Sequence, residues 1–201
     1  MKKFLQIVSG ILHPLLLPSL GIVLLFQLGS FRELPWNYKL YVESMVFLNT
    51  GVIPAIGIWL LKKSGHISDL DVSSRSERFF PYLISILATA SACIMLFRSQ
   101  MPWWVVKLFI GSVLATIVAL LITIKWKVSA HAMAFGCLLG SAFLVCIQLA
   151  VFPLIPFSAL VLLAGLQASS RLYLGKHTPG QVVVGLLLGV VSVQSAFFLI
   201  P

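Results

Sequence analysis

Residues 103–124 read Trp103-Trp104-Val105-Val106-Lys107-Leu108-Phe109-Ile110-Gly111-Ser112-Val113-Leu114-Ala115-Thr116-Ile117-Val118-Ala119-Leu120-Leu121-Ile122-Thr123-Ile124. The run carries one charge, Lys107, close to its start. A helix needs about 20 such residues to cross a hydrocarbon core of ~30 Å. Inside lipid the backbone has to bond within its own segment, which favours helix, and the period-2 alternation of a membrane barrel is missing. Six further stretches have the same character, at 7–31, 41–61, 80–97, 130–152, 157–174 and 179–200. The weakest, 157–174, is short and ends in polar residues. Pro14 and Pro18 should kink the first stretch or delay its true start, and Pro153 and Pro156 should bracket a tight turn.

The whole chain agrees with that reading. Of its 201 residues 60% are hydrophobic and 9% charged, against roughly 45–50% and about 25% in a typical soluble domain. Mean hydropathy is +1.07. A soluble globule of this size could not hide so much apolar surface, so soluble enzymes and nucleic-acid binders are excluded. The expected fold is all-α: a polytopic transmembrane bundle of about six or seven helices, with 1–201 forming one integral membrane domain. The opening Met-Lys-Lys and apolar run resemble a signal peptide. The run is too long, however, and no Ala-x-Ala site follows, so an uncleaved first helix is expected.

Charge narrows the chemistry. The formal net charge is +9, and all five acids (Glu33, Glu43, Asp69, Asp71, Glu77) precede residue 78. A carboxylate pair for sugar hydrolysis and a carboxylate-bridged metal site are therefore poor readings. Cys93, Cys137 and Cys146 lie in apolar runs without CxxC spacing and read as buried small residues. No metal and no cofactor is expected. If all seven stretches cross, one side holds Lys2, Lys3, Lys62, Lys63, Arg75, Arg78, Lys125, Lys127, Arg171 and Lys176, ten of the 14 basic residues. The other holds Arg32, Lys39, Arg98 and Lys107. The positive-inside rule would put the first side in the cytoplasm.

Three polar clusters share that richer side. Residues 68–78 (SDLDVSSRSER) are the most polar in the chain, and Arg75 and Arg78, three apart, would share a helical face. Lys125-Trp126-Lys127-Val128-Ser129-Ala130-His131 offers Ser129 as an N-cap with His131 in the first helical turn. Ser170-Arg171-Leu172-Tyr173-Leu174-Gly175-Lys176-His177-Thr178-Pro179 places His177 just before another helix start, with Thr178 as cap and Pro179 in the first turn. His66 also lies on this side, and His13 alone lies elsewhere, within the first stretch. Two arginine sites, two histidines and two helix N-termini are the parts a phosphoryl group requires: cationic forks for its oxygens, one imidazole to attack and one to protonate the departing alkoxide. A snorkelling Arg and interfacial histidines are the alternative for each cluster taken singly.

These residues resemble the type 2 phosphatidic acid phosphatase (PAP2) superfamily, whose motifs read Lys-x6-Arg-Pro, Pro-Ser-Gly-His and Ser-Arg-x5-His-x3-Asp. Ser170-Arg171, five residues and His177 match the last in type and spacing. Val128-Ser129-Ala130-His131 retains the middle one. The first keeps Arg78, with Phe79 for proline and Asp71 for lysine, and Gln181 stands where the last motif has aspartate. The resemblance spans 62–191. It implies a PAP2-like core and a metal-independent lipid phosphate phosphatase in a multi-pass bacterial inner-membrane protein. His177 would form a phosphohistidine and His131 would protonate the leaving alcohol. Arg78, Arg171, Ser129 and Ser170 would bind phosphate, with Arg75, Lys127 and Gln181 in support. The partner implied is a membrane lipid phosphate, with no nucleic acid. The alternatives are a catalytically degenerate relative that binds phosphate or lipid without turnover, or a small transporter. The family points to a periplasmic active-site face, against the charge count, and the expectation leans that way.

Overall fold

The computed structural model describes residues 2–201. Seven helical stretches are long and apolar enough to cross a membrane, at Lys2–Leu25, Trp36–Lys63, Ser76–Arg98, Trp103–Thr123, Ala130–Leu149, Leu154–Tyr173 and Pro179–Leu199. The chain therefore has the make-up of a multi-pass helical membrane protein. Its buried residues line helix–helix seams, while large apolar side chains such as Leu87, Leu121 and Leu162 stand exposed on the outside. That inversion suits lipid as the surrounding solvent. Cys93, Cys137 and Cys146 are buried and free.

The first stretch is two helices, α1 (Lys2–Ile11) and α2 (Leu17–Leu25), separated by a 3₁₀ turn at Pro14–Leu16. Pro14 has no N–H to continue α1, so the break falls at His13, which caps the turn in an extended conformation. The second stretch joins α3 (Trp36–Phe47) to α4 (Ile53–Lys63) through a π-helical segment, Leu48–Val52. It begins before residue 41 because Pro35 sets its N-cap. The rest are α5 (Phe79–Arg98), α6 (Trp103–Thr123), α7 (Ala130–Leu149), α8 (Leu154–Tyr173) and α9 (Pro179–Leu199). Pro156 lies inside the first turn of α8, where a missing N–H costs nothing, with Pro153 as the cap. The short stretch at 157–174 is thus a full helix starting at Leu154.

The centre is the α7–α9 pair, with α6 behind α9, and α2 and α8 against α7. Glycines allow the central contact. A Cβ on Gly136 would collide with the Leu186 carbonyl, and one on Gly189 with the Met133 carbonyl and the Cys137 amide. In lipid no hydrophobic drive draws helices together, so this close backbone approach supplies van der Waals contact that larger residues would block. The pairing fixes how the start of α7 lies against the start of α9. The Ser129 amide donates to the Gln181 carbonyl at 3.2 Å.

The register of α2 against α7 locates the N-terminal segment. His13 packs on His131, a Cβ on Gly21 would touch Leu138, and one on Gly29 would touch Leu149. Residues 13–29 therefore run the length of α7, and α1 lies beyond its start, against the end of α8. The sequence reading set His13 apart from the other histidines. The proline break instead delivers it to the same end of the bundle.

Candidate active site

The three polar clusters close into a ring. Arg78 Nη1 donates to the Val128 carbonyl at 2.6 Å, tying the first cluster to the second. Lys127 Nζ donates to the Lys176 carbonyl at 2.9 Å, tying the second to the third. Lys176 Nζ sits 3.1 Å from Asp71 and donates to Ser73 Oγ at 3.0 Å, returning to the first. The 64–78 connection is itself braced. Asp69 accepts from Ser73, Glu77 accepts from the amide and hydroxyl of Ser68, and Arg78 Nε donates to the Val72 carbonyl at 3.2 Å.

Inside the ring lies a cavity of about 330 Å³. Its polar end is lined by His13, Asp71, Arg78, His131, Arg171 and His177. Its length is apolar, with Leu17, Leu25, Leu108, Phe109, Leu138 and Val145 among the walls, and it reaches Pro153 and Phe157 at the opposite end of α7 and α8. A charged head and a long apolar tail describe its shape.

Each side chain at the polar end has a local reason for its position. His131 stands in the first turn of α7, which Ser129 caps by accepting from the Ala132 amide at 3.3 Å. His177 precedes α9. Thr178 and Gln181 form a capping box there: the Gln181 amide donates to Thr178 Oγ1, and Gln181 Oε1 accepts from the Thr178 amide at 3.3 Å. The same Oε1 lies 3.0 Å from His177 Nδ1. A backbone N–H can only donate, so the amide oxygen has to face this way, and His177 must then carry its proton on Nδ1. Its Nε2 keeps a free lone pair. Burial pushes the His177 pKa down to about 3; the bond to Gln181 opposes that, and the charges of Arg78, Lys127 and Arg171 add to it. The imidazole is consequently neutral at ordinary pH, the state a nucleophile requires. Burial, then Arg78, Arg171 and Lys176, also lower the Lys127 pKa, with Asp69 opposing.

Arg171 is 4% exposed on the last turn of α8. Its Nη1 donates to Ser9 Oγ of α1 at 2.9 Å, and its buried Nε has no partner among the described residues. An unpartnered buried guanidinium N–H is costly, and Arg171 is one of the residues that line the cavity. Arg78 is similarly buried, at 6% exposed. Among the described residues no group of His, Cys, Asp and Glu could hold a metal ion.

Not every residue picked out in the sequence faces the cavity. Arg75 and Arg78 do not share a face: Arg75 precedes the short 3₁₀ turn Ser76–Arg78, lies exposed, and donates to the Lys125 carbonyl. The Ser170 hydroxyl is turned back to the Leu166 carbonyl at 2.9 Å. The Ser129 hydroxyl is taken by its cap. Three residues that sequence reasoning left out do contribute. Ser9 holds Arg171, His13 lines the cavity, and Lys176 neutralises Asp71 at the position where the first motif expects lysine. The only signal for His13 was a titratable side chain next to a proline inside an apolar run.

The chain matches the family model of the PAP2 superfamily over residues 73–200. It belongs to the PAP2 superfamily. The match takes in the first cluster from Ser73 onward and the whole of the other two, running to the close of α9, and supports a phosphatase-type activity on a phosphate-bearing substrate. No curated protein and no solved structure matches. The matched region excludes α1, α2 and His13.

Proposed function

We propose that this PAP2 protein is a membrane phosphatase that hydrolyses a lipid phosphate ester or diphosphate through a phosphohistidine, without metal or cofactor. The observation that carries the reading is the single cavity in which Arg78, His131, Arg171 and His177 meet at one end of a long apolar channel. The channel holds the lipid chain and directs its head to the ring of cations.

His177 Nε2 attacks phosphorus, and the bond to the leaving oxygen breaks with its electron pair moving to that oxygen. His131 delivers the proton that makes it a neutral alcohol or a phosphate. Arg78 and Arg171 neutralise the equatorial oxygens as charge shifts across them, and Gln181 receives the Nδ1–H of the imidazole that becomes cationic. Water then attacks the phosphohistidine, with His131 taking its proton, and phosphate and neutral His177 are released. Lys127, held near these groups by the Lys176 carbonyl, adds positive potential. The two serine hydroxyls support the site by fixing backbone. The proposed setting is a bacterial inner membrane with the site on its periplasmic face.

Phosphate release from a short panel of lipid phosphates in detergent tests the reaction. Turnover lost in His177→Ala is the expected result. A wild-type protein that binds vanadate without releasing phosphate from any of them would refute the phosphatase and leave a degenerate binder. Impermeant thiol labelling of Lys63→Cys in intact cells tests sidedness, and protection of that cysteine would refute the periplasmic placement.

A further inference from the structure

The N-terminal segment lies outside the region that defines the family, yet it supplies one wall of the cavity. Ser9 and His13 are one helical turn apart in sequence and reach two different groups. The Ser9 hydroxyl accepts from Arg171 Nη1 at 2.9 Å and from Gln167 Nε2 at 3.4 Å. The His13 ring meets the His131 ring edge to face, with centroids 5.3 Å apart.

The tautomer of His13 follows from its cap. Nδ1 accepts the Leu15 N–H at 3.3 Å, so in the neutral ring the proton sits on Nε2. That N–H has no partner among the described residues, and His13 lines the cavity. In the reaction proposed above, His177 and the leaving oxygen lie on opposite sides of phosphorus. His131, which protonates the leaving oxygen, marks the leaving-group side, and His13 packs on His131. His13 therefore stands where the leaving group's own substituents begin. In a monoester those are methylenes. In a diphosphate they are the oxygens of a second phosphoryl group, which would accept the Nε2–H.

Charge points the same way. Asp71, the one carboxylate that lines the cavity among the described residues, is compensated by Lys176. Arg78, Arg171 and Lys127 are left with no carboxylate partner among the described residues. A diphosphate brings more negative charge to them than a monoester does.

We propose that His13 is a substrate-binding residue that donates Nε2–H to the phosphoryl group nearer the lipid, selecting a lipid diphosphate over the monophosphate of the same alcohol. The inference rests on the phosphatase reading for its two sides of phosphorus. The terminal phosphoryl passes to His177, the bridging P–O bond breaks, and the bridging oxygen leaves on the lipid monophosphate with the proton from His131.

The test uses the full chain in detergent with two variants. His13→Asn keeps a capping oxygen for the Leu15 amide but lacks the reach of Nε2. His13→Phe keeps a ring against His131 and loses both nitrogens. The substrates are farnesyl diphosphate and farnesyl monophosphate, and the readout is the ratio of their kcat/KM values. Both variants should lower that ratio on the order of tenfold, the typical effect of one hydrogen bond to a charged group. Calorimetric titration with inorganic diphosphate and phosphate reads the same preference without turnover, and both variants should lower the wild-type ratio of affinities. A wild-type ratio retained in His13→Asn would overturn the proposal, because His13 would then act only as a cap. Equal losses on both substrates would overturn it as well. A wild-type protein that turns over neither ester, yet loses its diphosphate preference in both variants, would refute the phosphatase while supporting His13.

Discussion

Gln181 occupies the position of the family's third-motif aspartate, and its replacement measures how the nucleophile is held. Leu at 181 removes Oε1, which accepts from both His177 Nδ1 and the Thr178 amide. The capping box loses one of its two bonds, and His177 loses the side chain that, among the described residues, fixes its tautomer. A neutral hydrogen bond contributes about 0.5–1.5 kcal/mol, and about 1.4 kcal/mol is tenfold in rate. Gln181→Leu should therefore lower kcat by roughly tenfold at most from the orienting bond. Glu at 181 keeps length and acceptor, remains a proper capping-box residue, and places negative charge beside an imidazole that becomes cationic during attack. Bonds to charged groups contribute about 1.5–3 kcal/mol. The difference gives on the order of a tenfold gain in kcat for Gln181→Glu, together with a His177 pKa raised from about 3. Gln181→Asp should move both quantities the same way if its shorter side chain reaches Nδ1. Steady-state phosphate release across pH, in one detergent for all four proteins, reads both effects. Equal rates for Gln, Leu and Glu would refute the reasoning and mean that the His177 tautomer is set by something other than residue 181.

Other consequences can be checked with the same preparation. His177→Ala should abolish both turnover and acid-labile phosphoenzyme, measured with a radiolabelled lipid phosphate. His131→Ala should cut turnover of alkyl esters by roughly 10²–10⁴-fold, while p-nitrophenyl phosphate, whose leaving group needs no proton, still forms phosphoenzyme. Arg171→Lys should cost at least about tenfold in kcat/KM, because a point ammonium does not supply the planar fork that holds Ser9 from one nitrogen and meets a phosphoryl group with the others. Stability should fall as pH drops from about 6.5 toward about 3, since the unfolded chain takes up the His177 proton before the folded chain does. A thermal melt series should show that slope flattened in His177→Gln. Gly189→Leu should prevent assembly, because its side chain would meet the backbone of α7 at Met133 and Cys137, and size-exclusion profiles would show it as aggregate.

Spacing and composition carried much of the fold and of the candidate site. Apolar runs of bilayer length set the helices, since nothing but lipid accommodates that many exposed Leu, Ile and Phe side chains. The Ser129 and Thr178 caps were readable because capping is a local property of a few consecutive residues, and they fix where His131 and His177 sit on their helices. Which side chains enter one cavity was decided by tertiary packing. Arg75 and Arg78 look equivalent at three-residue spacing, yet the turn before α5 sends one outward to the Lys125 carbonyl and the other inward to the Val128 carbonyl. Ser170 lies beside Arg171 in the motif, but its hydroxyl bonds back to its own helix. Ser9 and His13 carry no motif, and they reach Arg171 and His131 only because Pro14 breaks the first helix level with the start of α7. Helix formation depends on neighbours a few residues apart and can be read along the chain. Contact between residues as far apart as Ser9 and Arg171 depends on the crossing of α7 and α9 at their glycines and on where a proline ends a helix, and those distances exist only in the folded bundle.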